Sequence, residues 1–394
     1  MAEKTTLADA SERVDYGLTT SAVYGGNGPR FLRITDIDGP HVDWVSVPRC
    51  AASPDEIERY RLLDGDIVVA RTGASTGRSQ WVQTVEPAVF ASYLVRFRID
   101  PRHDSRFVSY VLQADGWSDY VSGLAHGKSA QPNMSARDMG AFGFEAPSLV
   151  EQRAIAEVLG ALDDKIAANT RLAQSHAELA QQLFESAAST APLTCVSLRD
   201  LVSTQYGLTA SSTSGDGPRL LRVTDINKKP WIEWEDAPGC TPSDAELAKY
   251  GTEPGDILVA RMADPGKAAF IDAGDPVAVF ASYLVRVKPR DPKMGLFIYY
   301  FLRSSAYRLY VESAMTGSVQ RNMNAKAIVG TTISVPREDQ LGQFNSRVGS
   351  LRASLQAVLV ESRRLAATRD ALLPALISGE LRVSDAGRIV EGAA

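Results

Sequence analysis

The chain has 394 residues, with 44% hydrophobic and 23% charged side chains and a formal net charge of −5. These are the values of a soluble globular protein, in a chain too long for one ordinary core. No apolar run approaches the ~18 residues that span a bilayer, and the opening stretch MAEKTTLADASERVDYG has no apolar core of the kind a secretory signal needs. Three scattered cysteines, Cys50, Cys195 and Cys240, are too few for a disulfide framework or a zinc site, so a reducing, cytoplasmic setting is expected. The acidic balance taken alone argues against a nucleic-acid partner, because phosphate contacts need a basic surface. An average charge still leaves room for a local basic strip.

Read in chain order, YGLTTS begins at Tyr16 and is followed by GPRFLRITDI from Gly28, GDIVVAR from Gly65, FASYLVR from Phe90 and QPNMSA from Gln131. Each returns 189 or 190 residues later, as YGLTAS, GPRLLRVTDI, GDILVAR, FASYLVR and QRNMNA. The chain is therefore a tandem duplication, and a period this long makes each copy a domain plus a connector rather than a solenoid repeat. FLRITDI, GDIVVAR and AVFASYLVRFRI read as strands closed by turns. RFVSYVLQ from Arg106 and its counterpart LFIYYFLR from Leu296 read as short buried helices. Each copy is thus predicted to be a mixed, strand-rich α+β domain of about 140 residues.

A long helical stretch follows each copy. Residues 151–188 carry apolar or small side chains at Ile155, Leu159, Leu162, Ile166, Ala173, Ala180 and Leu183, with Asn169 and His176 on the same seam. In the second copy Leu341, Phe344, Val348, Leu351, Leu355, Val358, Ser362, Leu365, Arg369, Leu372 and Leu376 step by three and four. That is a heptad seam, and each helix would run roughly 50 Å at 1.5 Å per residue. An exposed apolar stripe needs a partner, and the economical one is the other helix of the same chain, antiparallel to it under a pseudo-two-fold. Asn169 is read either as a register-fixing polar group or as a solvated break in the seam. The expected segments are a domain over 1–148, a long helix over 149–190, a second domain over 191–336, a second helix over 337–380 and a tail over 381–394.

The doubled strand-rich domain, the GDI-(V/L)VAR strand, the Q-x-N-M segment, PSLVEQ from Pro147 and the closing LLPALISGELRV together resemble the specificity (S) subunit of type I restriction–modification systems. The resemblance covers essentially the whole chain. It implies two target-recognition domains separated by two antiparallel helices, each domain reading one half of a bipartite double-stranded DNA site. It also implies a non-catalytic subunit without a cofactor, which recruits two adenine-methylating (M) subunits and, with them, ATP-driven restriction/translocase (R) subunits. FASYLVR would then belong to the scaffold.

On that reading, base contacts should lie where the copies diverge. Residues 72–81 (TGASTGRSQW) face MADPGKAAF at 262–270, and residues 125–133 (AHGKSAQPN) face MTGSVQRN at 315–322. Both pairs are polar, Gly-containing loops that follow regular elements. Arg78 and Lys267 can reach phosphate or guanine, and Gln131, Asn133, Gln320 and Asn322 carry the amides that pair with adenine edges. Lys128, Arg321, Arg71 and Arg261 could steer to phosphate. The loop hydroxyls of Thr72, Ser75, Thr76, Ser129 and Ser318 complete the set. Two bland alternatives stand beside these. Arg71 and Arg261 sit at repeated strand ends and suit internal ion pairs, while Asn133 and Asn322 precede short helices and suit caps.

Other signals carry less. GLAHGKS at 123–129 has three residues between its glycines where a phosphate loop needs four. No Gly-rich methyl-donor loop follows a strand, and no pair among His41, His103, His126 and His176 has metal spacing. Cys50 and Cys240 are equivalent under the repeat and read as small buried positions. Asp36 and Asp225 read as turn formers or partners of Arg33 and Arg222. The acidic balance of 151–188 makes that helix a better protein ligand than DNA ligand. The rival function is a two-headed protein-binding scaffold that never touches DNA, for which the net charge of −5 is the best support.

Overall fold

The computed structural model describes residues 3–39, 41–84, 86–125, 133–190, 194–215, 217–315 and 322–393. The first copy runs β1 (Glu3–Thr6), β2 (Ser11–Tyr16), β3 (Ala22–Val23), β4 (Arg30–Leu32), β5 (Arg49–Cys50), α1 (Pro54–Tyr60), β6 (Ile67–Ala70), β7 (Ser79–Trp81), β8 (Ala88–Phe90) and β9 (Leu94–Ile99). It continues through α2 (Ser105–Val111), α3 (Asp115–Ala125), α4 (Ala136–Gly140) and β10 (Gly143–Ala146) into the long helix α5 (Leu149–Ser189). The second copy runs β11 (Thr194–Ser197), α6 (Leu198–Leu201), β12 (Val202–Tyr206), β13 (Arg219–Leu221), α7 (Val223–Ile226), α8 (Asp244–Tyr250), β14 (Ile257–Ala260), β15 (Ala268–Phe270), β16 (Ala278–Phe280) and β17 (Leu284–Pro289). Then come α9 (Gly295–Arg303), α10 (Ser305–Met315), α11 (Ala325–Ile328), β18 (Thr332–Val335), the long helix α12 (Glu338–Ile377) and α13 (Val383–Ala393). The last of these is a helix where the sequence suggests only a tail.

Contacts divide the chain into one unit of Met1–Thr170 with Val360–Ala394 and another of Arg171–Leu359. In the first unit, β2, β9, β6 and β7 form an antiparallel sheet in that order. A second sheet has the order β3-β5-β4-β8, with β4 and β8 parallel. Strand β6, IVVA, is buried at every residue because it is covered on both faces. Ile67 and Val69 join Phe107, Val108 and Leu159, while Val68 and Ala70 join Leu32, Trp44 and Phe90. An unbroken apolar run is the pattern such a central layer demands. Ribbon β1–β10 closes the domain where α5 begins.

The second unit repeats this plan with β12-β17-β14-β15, the parallel pair β13–β16 and the ribbon β11–β18. Strand β14 is likewise split, Ile257 and Val259 against the helices and Leu258 and Ala260 against Leu221 and Phe280.

Two sequence expectations change. AVFASYLVRFRI is two strands in different sheets, Ala88–Phe90 and Leu94–Ile99, joined by a turn closed by Leu94 N donating to Ala91 O at 2.9 Å. That turn contains neither glycine nor proline, so its letters read as strand. The room for it is provided elsewhere: a Cβ added to Gly17 would lie 2.3 Å from the carbonyl oxygens of Phe90 and Ala91, and one on Gly207 would meet Phe280 and Ala281 in the same way. FLRITDI is strand only to Leu32, after which Ile34–Asp36 forms a 3-10 turn. There the Asp36 carboxylate accepts from the Arg33 backbone N at 2.8 Å and binds its guanidinium at 2.8 and 2.9 Å. Asp225 and Arg222 repeat this pair, and Cys50 and Cys240 are both buried.

Within the first unit, Ile155, Leu159, Leu162 and Ile166 of α5 share one core with Leu365, Leu372 and Leu376 of α12. Asn169, 3% exposed, donates to Glu361 Oε2 at 2.8 Å, and Lys165 flanks the same carboxylate at 3.3 Å. Asn169 is therefore a satisfied buried amide rather than a solvated break in the seam. Within the second unit, Ala173 and Ala177 meet Leu355, and Val358 packs at the edge of that group. Ala180 and Phe184 meet Leu341, Phe344 and Val348, with Leu351 packed alongside. The α5 residue numbers rise as those of their α12 partners fall, so the helices pair antiparallel. Toward its end the α5 seam takes in Ala177 and Phe184, with Leu183 packed alongside, because a straight helix drifts off a strict heptad.

The two copies solve one helix position with opposite charges. Asp163 follows Leu162 on α5, accepting from Tyr110 OH at 2.6 Å and from Arg369 at 2.9 Å. Burial, with the Asp163 charge, pushes the Tyr110 hydroxyl well above the ordinary tyrosine value. Arg352 follows Leu351 on α12. It lies 4.7 Å from the Phe270 ring and 5.0 Å from the Tyr299 ring, and donates from Nε to Asp272 Oδ1 at 2.9 Å. Gln356 adds a bond to Asp272 at 2.7 Å.

Replacing Arg352 by Ala leaves the Asp272 carboxylate without its cation, with only the neutral Gln356 amide, and should destabilise the second unit by about 3–5 kcal/mol, read from urea unfolding. Gly17→Ala should lower the unfolding midpoint of the first unit, costing about 1–3 kcal/mol for the forced contact. Gly123→Ala on α3, where a new Cβ meets nothing within 4 Å, should leave the midpoint unchanged or raise it.

Candidate nucleic-acid interface

Segments whose letters are identical in the two copies converge on one place in each domain. Tyr16 ends β2, Gly17 allows the chain to pass under the 91–93 turn, and Leu18 N donates to Phe90 O at 2.7 Å while Ser92 N donates to Leu18 O at 3.0 Å. Arg71 follows β6, and its backbone N donates to Tyr93 O at 3.0 Å. YGL, VAR and FASY are thus one interlocked structure. The Arg71 guanidinium lies 4.7 Å from the Tyr16 ring centroid, and its Nη2 donates to Asn133 Oδ1 at 3.2 Å. The Tyr16 hydroxyl accepts from Ala136 N at 2.9 Å.

The second copy reproduces each of the backbone contacts. Leu208 N donates to Phe280 O at 2.8 Å, Arg261 N to Tyr283 O at 3.0 Å and Met323 N to Arg261 O at 2.8 Å. The Arg261 guanidinium sits 4.9 Å from the Tyr206 centroid, and the Tyr206 hydroxyl accepts from Ala325 N at 2.9 Å.

Of the FASYLVR side chains, most serve the interior. Phe90 is fully buried beneath Arg96, whose guanidinium lies 5.1 Å from its ring. Arg96 donates to Asp15 at 2.5 Å and to Arg61 O at 2.6 Å, and burial lowers its pKa. Arg286 does the same work above Phe280, with Asp256, Gln205 and Gly251 O as partners. Tyr93 and Tyr283 differ from the rest, at 61% and 56% exposed.

Around this shared base the two domains diverge. After β6, a 3-10 turn at Gly73–Ser75 carries the half-buried Thr72, Ser75 and Thr76, and Arg78 stands exposed, paired with Asp38. After β14 the loop is one residue shorter. It holds Ala263 at φ 61 and leaves Lys267 exposed, without a carboxylate partner among the described residues. Both loops end on a glycine at φ +89, Gly77 or Gly266, packed too closely on Val121 or Val311 for a side chain. Tyr24, 75% exposed and accepting from Arg33 Nη1 at 3.4 Å, belongs to the divergent stretch of the first copy only.

Among the sequence-selected residues, the structure brings Arg71, Thr72 and Asn133 together, through the guanidinium bond and a backbone bridge between Thr72 and Asn133. It brings Arg261 and Asn322 together through the Met262–Asn322 bridge. Lys128, Ser129, Gln131, Ser318, Gln320 and Arg321 lie outside the described residues. The two bland alternatives fail. Ser135 caps α4 and Asn324 caps α11, so Asn133 and Asn322 stand two residues before the caps. Neither Arg71 nor Arg261 has a carboxylate partner among the described residues; each rests on a tyrosine ring instead. Also among the described residues, no His, Cys, Asp and Glu cluster suits a metal ion, and no helix is long and apolar enough to cross a membrane.

No protein-family model and no curated protein sequence matches the chain. Among solved structures, the type I restriction-modification system S subunit from M. genitalium is similar at TM-score 0.56 and 14% identity, over 96% of each chain. The HsdS subunit from Thermoanaerobacter tengcongensis aligns over 96% of this chain and 97% of its own, at TM-score 0.34 and 16% identity. The first likeness defines the class of fold, a duplicated α+β domain in which each copy leads into a long helix. In particular, it is the fold of a type I S subunit, kept over nearly the full length of both chains.

Removing a single hydroxyl tests whether the two bases are equivalent. Tyr16→Phe and Tyr206→Phe each delete one acceptor of a backbone N–H, and each should cost about 0.5–1.5 kcal/mol in thermal or urea unfolding.

Proposed function

We propose that this chain is the non-catalytic DNA-specificity subunit of a type I restriction–modification system. Its two target-recognition domains each read one half of a bipartite double-stranded site, and the chain recruits two methyltransferase subunits and, with them, restriction/translocase subunits. The observation that supports this most is the S-subunit fold extending over 96% of both chains, combined with unlike polar loops on like frames. A repeated frame presents two equivalent faces, and unlike loops let each face select different bases.

In this reading Arg78 and Lys267, at the same place in their loops, reach guanine edges or phosphates. Thr72, Ser75 and Thr76 supply hydroxyls beside Arg78. Asn133 and Asn322, with Gln131, Gln320, Ser129 and Ser318, supply further polar contacts, while Lys128 and Arg321 steer toward phosphate. The continuous helices α5 and α12 keep the spacing between half-sites, and their solvent-facing sides dock the methylating subunits. Work inside the cell, with modification protecting host DNA against cleavage, follows from that assignment.

Two measurements test it. Binding of the full chain to random-sequence duplex DNA should weaken as salt rises, with a slope near −0.9 per phosphate contacted; salt-independent or absent binding would instead support a protein scaffold, which the net charge of −5 favours. Exchanging residues 72–81 for 262–270 in the complete system should alter one half of the methylated sequence and leave the other half and the spacer unchanged. Unaltered methylation targets would remove these loops from base reading.

A further inference from the structure

Each domain repeats an exposed tyrosine that its fold does not use. Tyr93 and Tyr283 have identical neighbours in sequence and are 61% and 56% exposed. Among the described residues neither hydroxyl has a hydrogen-bond partner and neither ring has an aromatic neighbour. The backbone oxygen of each holds the N–H of an arginine, Arg71 or Arg261. These arginines are unlike the repeated arginines of the interior. Arg33, Arg222, Arg96 and Arg286 are all paired with carboxylates, whereas Arg71 and Arg261 have no carboxylate partner among the described residues.

Stacking on Tyr16 or Tyr206 fixes the plane of the guanidinium; Nε is buried in both arginines and Arg71 Nη2 is shared with Asn133, so the Nη end is the part that can receive a phosphate. An arginine without a carboxylate partner among the described residues and an exposed tyrosine, on backbone segments joined by the Arg71 N–Tyr93 O or Arg261 N–Tyr283 O hydrogen bond, make one small candidate anion-receiving surface per domain.

Resting on the DNA-specificity reading, we infer that Tyr93 with Arg71, and Tyr283 with Arg261, are the sequence-independent anchors of the two domains, each gripping the sugar–phosphate backbone of its half-site. The reason is informational. Contacts that are the same in both domains cannot distinguish two different half-sites, so they must address what every duplex shares. Base choice is left to the loops that differ, and the anchor sets the depth and orientation at which those loops meet the groove. FASYLVR is then scaffold in six of its letters and ligand contact in the seventh. Tyr16 and Tyr206 act through the arginines as positioning residues.

The test uses the full chain and two unrelated duplexes, titrated between about 50 and 200 mM salt. Arg71→Gln or Arg261→Gln should weaken binding to both duplexes by the same factor and make the salt slope shallower by about 0.9. Tyr93→Ala and Tyr93→Phe should weaken both duplexes equally, by roughly two- to tenfold, with the slope unchanged, because a neutral hydroxyl releases no counterion. Tyr283 variants should behave alike. Because Tyr93 is mostly solvent-facing, its variants should unfold at the wild-type temperature, which separates contact from misfolding. If the wild type binds with a salt slope and these variants match it, the anchor assignment is wrong and the DNA reading survives. A loss confined to one duplex also overturns the anchor, since it marks base reading. If the wild type itself does not bind duplex DNA, both fall together.

Discussion

The close passage of the chain at Gly17 beneath the 91–93 turn, repeated at Gly207 beneath 281–283, is the constraint on which the rest of each domain depends. No side chain fits there, and the hydrogen bonds from Leu18 to Phe90 and from Ser92 to Leu18 stitch the two sheets at that point. The passage allows β8 and β9 to lie in different sheets although three residues separate them, so that β6 becomes a layer covered on both faces. It also brings Tyr16, Arg71 and the backbone of Tyr93 together. A folding requirement and a candidate binding surface thus share one set of residues, which is why their letters are the same in both copies.

The buried side of the helices shows how duplicated domains part in chemistry without parting in fold. Asp163 and Arg352 occupy one helix position, and each copy surrounds its charge with matched partners, Tyr110 and Arg369 in one, Asp272 and Gln356 in the other. Losing the charged partner of either set would leave a largely buried carboxylate without its cation, which is far more costly than the pair is stabilising. Such sets therefore change together or not at all. Asn169 with Glu361 is a smaller case, a buried amide whose partner lies on the other helix within the same unit.

Charge separates the interior from the candidate binding surface. Most repeated arginines are neutralised inside their domain, and Arg30 and Arg49 share Glu86, which holds that carboxylate below its usual pKa. An overall charge of −5 is then no guide to the local surface around Arg71 in the first domain or around Arg261 and Lys267 in the second. What matters to an incoming polyanion is the few cations left unpaired and where the backbone holds them.

The sequence by itself determined the duplication, the α+β character of each copy, and the two long helices with their seam, because periodicity and repeated letters are local or countable signals. It identified Arg33–Asp36 and the buried cysteines for the same reason. Only the tertiary structure decided that FASYLVR bends between two sheets, since the glycine that makes room for the bend lies more than seventy residues away. Only it decided that Ser135 and Asn324 take the caps and release Asn133 and Asn322, and that the α5 seam passes through Ala177 and Phe184. The tyrosines at 93 and 283 read as alternating strand residues in one dimension. That they face solvent while their backbone oxygens hold the N–H of Arg71 and Arg261 depends on which residues meet across the fold, and spacing along a chain does not encode this.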